Sequence, residues 1–168
     1  VPIKWTLIDI VFDDGGTATG SFVYDAETDT YSNIRISTTS GDVGTAANLQ
    51  HRCTAAPCIA FPADLIFMSA ANQTNMTNLP YINFMLDAPP PNVPTTLAAV
   101  PVATATCSNT NCSGNLDDTR MAFAGALVGS LYVAPTAPAS VPVLDQWGLM
   151  LLASLLGGLT FWRQRRKS

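Results

Sequence analysis

Charge is scarce in this chain. Only 12% of its 168 residues are charged, about half the share usual in soluble proteins. Basic residues are scarcest. Before the last six positions only Lys4, Arg35, Arg52 and Arg120 stand against twelve acidic residues, a balance of −8. That excess excludes nucleic-acid binding by phosphate neutralisation. Histidine occurs once, at His51, and glutamate once, at Glu27. No G-x-S-x-G elbow accompanies His51, so a serine-hydrolase constellation is not indicated. Gly15-Gly16 lacks the lysine of a phosphate loop. Heptads are missing, and so are crossover helices between the strand-like runs, which excludes a parallel α/β sheet. No catalytic residue stands out, no cofactor is expected, and the chain reads as a non-enzyme.

What is present is β-forming sequence cut by turn signals. Trp5 to Phe12 is rich in β-branched and aromatic residues and ends at Asp13-Asp14-Gly15-Gly16, a strong turn signal. Thr17 to Tyr24 and Tyr31 to Thr39 follow, joined by the polar turn Asp25 to Thr30. In the third run Ile34 and Ile36 share one face and Arg35 takes the other. The three runs predict an antiparallel meander. Residues 40–62 read as a long loop. Leu65–Ser69 and Tyr81–Leu86 read as buried strands. Ala88 to Pro94 cannot continue a ladder, because proline lacks the donor. Residues 95–106 fit a weak strand or helix, and Thr119–Val133 fits one or two closing strands. The expected fold is mainly β: an antiparallel sandwich or barrel over residues 1–133.

Four cysteines form two local pairs of equal spacing, Cys53 with Cys58 and Cys107 with Cys112. The spacing is too wide for a zinc knuckle and is not a C-x-x-C redox motif. Two small disulfide loops in an oxidising compartment are expected. No metal site is assigned. The alternating carboxylates Asp25, Glu27 and Asp29 are the one weak Ca2+ candidate, and they lack the glycine and distal glutamate of an EF-hand. Asn72-Gln-Thr74 and Asn75-Met-Thr77 fit the glycosylation pattern.

After Val133 the composition shifts. Residues 134–146 form a Pro/Ala-rich linker, expected to be extended and stiff. Residues 147–162 are uncharged and apolar, with Trp147 and Trp162 at the two ends. A helix of that length spans about 24 Å, somewhat short of a hydrocarbon core of roughly 30 Å. The flanking tryptophans suit the interfacial belts, and Arg163 suits snorkelling. The expectation is one transmembrane helix. Arg163, Arg165, Arg166 and Lys167 form a basic tail over 163–168 that the positive-inside rule holds in the cytoplasm. Ala153 with Gly157 and Ser154 with Gly158 offer small faces for packing on other membrane helices. The start at Val1 suggests a removed signal peptide. Membrane lipid and other membrane-protein helices are the expected partners.

The segment Val141-Pro-Val-Leu-Asp-Gln-Trp-Gly148, then an apolar helix, then an arginine cluster, resembles the bacterial sorting signal IPTL-CTERM, a relative of PEP-CTERM. Val141, Pro142, Leu144, Trp147 and Gly148 carry the likeness, and Val143 stands where the pattern has threonine. The resemblance covers about residues 141–168. A looser likeness joins residues 5–39 to exported β-domains bearing such tails. It implies a Gram-negative exported protein with its N-terminal domain in the periplasm or outside, anchored in the inner membrane. It also implies handling by an exosortase-like enzyme and display at the cell surface after processing. The expected role is a structural or interacting surface or matrix protein. Two alternatives differ from it. One is an accessory subunit of a large membrane complex, respiratory or photosynthetic, that retains its helix. The other is a secreted hydrolase or Ca2+-binding adhesin.

Overall fold

A computed structural model describes residues 1–54, 64–71, 73–98, 100–112 and 116–135. Eleven strands are found among them and no helix. In chain order they are β1 (Ile3–Val11), β2 (Thr17–Asp25), β3 (Thr30–Thr38), β4 (Ala47–Leu49), β5 (His51–Arg52), β6 (Leu65–Met68), β7 (Pro80–Phe84), β8 (Thr96–Ala98), β9 (Val102–Cys107), β10 (Leu116–Ala122) and β11 (Ala126–Leu131). They build a six-stranded sheet in the order β4-β3-β2-β1-β11-β8 and a five-stranded sheet in the order β10-β9-β7-β6-β5. Every pairing among them is antiparallel.

The two sheets bury a shared core. Ile3, Trp5, Leu7, Phe22 and Ile36 come from the first sheet, and Leu65, Phe67, Ile82 and Phe84 from the second. Phe22 meets Phe67 across the interface with ring centroids 5.0 Å apart. Burial of each such side chain stabilises the fold by about 1.5–3 kcal/mol. A smaller apolar cluster lies on the other face of the second sheet, where Ile66 and Met68 pack with Met76, Cys53 and Cys107. All four residues of β6 are therefore buried, which explains its unbroken apolar run.

The predicted meander is present, and β2 and β3 follow their runs closely. The alternation of β1 changes phase within the strand: Ile3, Trp5 and Leu7 point inward, and then Ile10 and Phe12 do. A bulge at Asp9 (φ 53°) supplies the extra residue. Two more bulges sit at Asn33 (φ 48°) and Asp118 (φ 53°), again at residues that tolerate the left-handed region. Gly20 lies between the first two bulges at φ 126°, and a Cβ there would collide with the Arg35 carbonyl oxygen.

One expectation needs correction and two are sharpened. The stretch 40–62, read as a loop, contains β4 and β5. There the chain leaves the first sheet after Leu49 and joins the second at His51, with the Gln50 amide donating to the Met68 carbonyl. The described residues of the stretch 95–106, read as a strand or helix, hold two strands, β8 and β9. The closing run is also two strands, one in each sheet, and it begins earlier, at Leu116. Edges are protected. β4, β5 and β8 have three residues or fewer. The longer β10 carries the Asp118 bulge, and Asp13 closes its end.

Candidate functional site

The most elaborate side-chain assembly is polar and buried. It sits where the β1–β2 turn, the β3–β4 loop and β10 meet. Arg120 points inward from β10 and is 2% exposed. Its Nε donates to Thr104 Oγ1 at 2.8 Å, and one Nη donates to the Thr39 carbonyl at 2.8 Å. The same Nη reaches Asp14 Oδ2 at 3.3 Å, and the other Nη donates to the Thr45 carbonyl at 3.3 Å. The guanidinium carbon lies 4.6 Å from the Phe12 ring centroid. Asp14 is buried as well, with its side chain 3% exposed. It accepts the amides of Gly16 and Gly44 at 2.9 and 3.0 Å. Burial alone would raise its pKa. The amides of Gly44 and Gly16, followed by the Arg120 charge, outweigh burial and hold the carboxyl below its usual value of 3.8.

Three glycines make this closeness possible. A Cβ on Gly16 or Gly44 would run into Arg120, and one on Gly41 would run into Asp14. The cleft beside Arg120, lined by Thr38, Thr45, Tyr81 and Thr106 among others, encloses about 10 Å3. That is room for roughly one water molecule. With the guanidinium engaged on three elements and the carboxylate already an acceptor, the assembly clamps two loops to a strand. In sequence alone Asp13-Asp14 has the form of turn residues, and Arg120 is one of four scattered cations. The signal was the recurrence of glycine beside aspartate, Asp14-Gly-Gly16 and Gly41-Asp-Val-Gly44.

The other sequence candidates are dispersed. Asp25 Oδ1 accepts the Glu27 amide at 3.0 Å, an Asx turn. Glu27 pairs with the Val1 ammonium at 3.0 Å, and Asp29 accepts from the Tyr24 hydroxyl at 3.1 Å. The three carboxylates thus take separate partners. No group of three or more His, Cys, Asp or Glu among the described residues is placed to hold a metal ion. His51 lies on β5 opposite Met68. Asn75 is exposed, and its side chain accepts the Thr77 amide at 3.0 Å; Asn72 lies outside the described residues.

Cys107 and Cys112 form the expected disulfide. It closes the loop from which the Thr110 carbonyl accepts the amide of Met76, a side chain with no exposure. This cross-link holds the 107–112 loop against the second sheet's outer cluster. Cys53 is buried at 3% exposure, and its expected partner Cys58 lies outside the described residues.

At the opposite end of the domain β11 runs out beside β1. Ile3 pairs with Leu131, and the Tyr132 amide donates to the Pro2 carbonyl at 3.1 Å. Leu131 and Val133 are exposed there. The sorting motif Val141–Gly148, the apolar segment 147–162 with its small residues, and the basic tail 163–168 lie outside the described residues. The described residues contain no helix long and apolar enough to cross a membrane. Comparison with curated proteins and with solved structures yields no match. The C-terminus does match a known pattern, over a slightly different span from the one the sequence suggested. Residues 139–166 are an IPTL-CTERM motif, so the chain carries this C-terminal sorting signal behind its antiparallel β domain.

Proposed function

We propose that this protein is a non-enzymatic, exported β-domain protein, held for a time by one C-terminal membrane pass and delivered to the cell surface by an exosortase-like enzyme. The IPTL-CTERM motif at residues 139–166 is the observation that carries the reading. Two features are consistent with it. The Cys107–Cys112 disulfide suits an oxidising compartment outside the cytoplasm. The polar cluster around Arg120 is fully engaged within the fold, so its acid and base groups are committed to structure. In this reading the β domain is the delivered part and residues 134–168 are linker, address and temporary anchor. Its role at the surface is structural or interactive.

Intact-mass measurement of the protein from producing cells tests this directly. The expected mature form ends near Val141–Trp147 and fractionates with the cell surface. In cells lacking the exosortase-like enzyme, the chain should keep its tail and stay in the inner membrane. A chain retaining Ser168 in both strains would overturn the sorting reading. It would favour instead a permanent subunit of a membrane complex.

A further inference from the structure

The six-stranded sheet has a second face, turned away from the core. Its occupants follow from alternation. Thr6, Ser21 and Arg35 form one cross-strand row through β1, β2 and β3. Thr19, Ser37 and Asn48 form another, with Ser37 Oγ and Asn48 Oδ1 2.8 Å apart. Lys4 sits two residues along β1 from Thr6, beside Ser130 of β11. Tyr132 follows Ser130 on this face. Its hydroxyl accepts from Asn33 Nδ2 of β3 at 2.9 Å. Because β1 and β2 lie between β11 and β3, the tyrosine side chain crosses above both strands.

The charge distribution gives the face its character. Arg120 is buried, and the Arg52 guanidinium is spent on the carbonyls of Ile66 and Asp64. Lys4 and Arg35, the two exposed basic side chains among the described residues, both stand on this face. Asp25 bounds it at one end, and at the other the β1 bulge sets Asp9 beside Thr19, so the Thr19–Ser37–Asn48 row adjoins one carboxylate, while the Thr6–Ser21–Arg35 and Lys4–Val23–Ser32 rows hold none. The sheet geometry puts Lys4 and Arg35 two strands and two residues apart, about 12 Å between Cα atoms. Acidic groups elsewhere on the domain are screened beyond roughly 8 Å at physiological salt.

We propose that this face binds an extended carboxylated glycan. Lys4 and Arg35 take carboxylates, the Ser/Thr rows and Asn48 exchange hydrogen bonds with sugar hydroxyls, and the Tyr132 ring offers an apolar surface to a sugar ring. Two cations on an acidic domain are too few for a densely charged phosphate polymer. A polyuronate, with one carboxylate per sugar ring set among hydroxyls and a wider charge spacing than polyphosphate, fits two cations set among hydroxyls. The inference goes beyond the sorting reading and does not depend on it, because its test reads retention and not tail processing.

Affinity electrophoresis of the full chain in a nonionic detergent, through gels holding polygalacturonate, neutral dextran or polyphosphate, decides it. Retention is expected in polygalacturonate alone, weakening with salt at a log–log slope of about −1 to −2. Each exposed ion pair is worth at most about 1 kcal/mol, so Lys4→Gln with Arg35→Gln should weaken retention about tenfold. Both residues are exposed, so the melting temperature should hold. Ala71→Glu with Ala88→Glu changes the net charge equally at exposed sites off this face, and should leave retention close to that of the parent protein. Absence of retention, equal retention by dextran, stronger retention by polyphosphate, or an unchanged Lys4/Arg35 variant would each overturn the proposal.

Discussion

Replacing Asp14 with asparagine should be among the most damaging conservative changes available to this domain. The substitution keeps the shape and removes the charge facing a guanidinium that is 2% exposed. Breaking a buried pair by removing one partner costs about 3–5 kcal/mol. Thr104 and the carbonyls of Thr39 and Thr45 still solvate Arg120, which places the expected loss near the lower figure, about 3 kcal/mol. A domain of this size has a total stability of roughly 5–15 kcal/mol, so the loss is a large share of it. The melting midpoint should fall by about 12 °C. Arg120→Met should cost a similar amount. The double variant should cost less than the two singles added, with a coupling of about 2 kcal/mol. Urea unfolding at pH 7, followed by far-UV circular dichroism, measures all three. The sign with pH is fixed. The Asp14 pKa is lowered by folding, so its contribution is complete above 3.8 and is lost as pH falls below that value. The gap between parent protein and Asp14→Asn should therefore close in acid. A loss under 1 kcal/mol at pH 7, or a gap that does not narrow in acid, would refute the account of the clamp.

Two further outcomes follow from local geometry. Cys107→Ser with Cys112→Ser should lower stability by about 2 kcal/mol in the loop-entropy treatment, and hydrogen exchange should quicken first at the Met76 and Asn78 amides, which bond to Thr110 and Cys107; unchanged exchange there would show that the loop is held by other means. Gly20→Ala combines an unfavourable φ with a backbone collision and should cost about 3 kcal/mol, a loss that thermal melting beside the milder Ala18→Gly would reveal.

The sequence made some of this legible and concealed the rest for physical reasons. The meander β1–β3 was readable because its turns are local and carry Asp-Asp-Gly-Gly and an Asx turn. β6 and β7 were readable as apolar runs. β4 and β5 were not, because strands of three and two residues have no period to detect, and their pairing depends on β3 and β6. The bulge at Asp9 shows only as alternation that changes phase in mid-strand. The disulfide at Cys107–Cys112 followed from spacing and turn residues. The clamp stayed hidden because its two charges, Asp14 and Arg120, are 106 positions apart, and an arginine facing inward looks in sequence like any surface arginine. The outer face of Lys4 and Arg35 was likewise invisible, since it exists only once register sets β1, β2 and β3 side by side.

The pairing of β11 with β1 has a mechanical consequence. β11 carries the chain out at Val133, and it runs antiparallel to β1 through six registered residue pairs from Ile8 with Ala126 to Ile3 with Leu131. Let the domain be gripped through β1 and β3 while tension arrives from beyond Val133. When that tension lies along the strand axis, the hydrogen bonds of the β1–β11 ladder bear it side by side. They must yield together and not one after another, as they would if β11 were peeled from its end. Trp5, packed where Gly129 leaves room for its ring, would have to slide past the strand in the same event. β11 is flanked by β1 on one side and β8 on the other, so a load along its axis would meet two ladders at once.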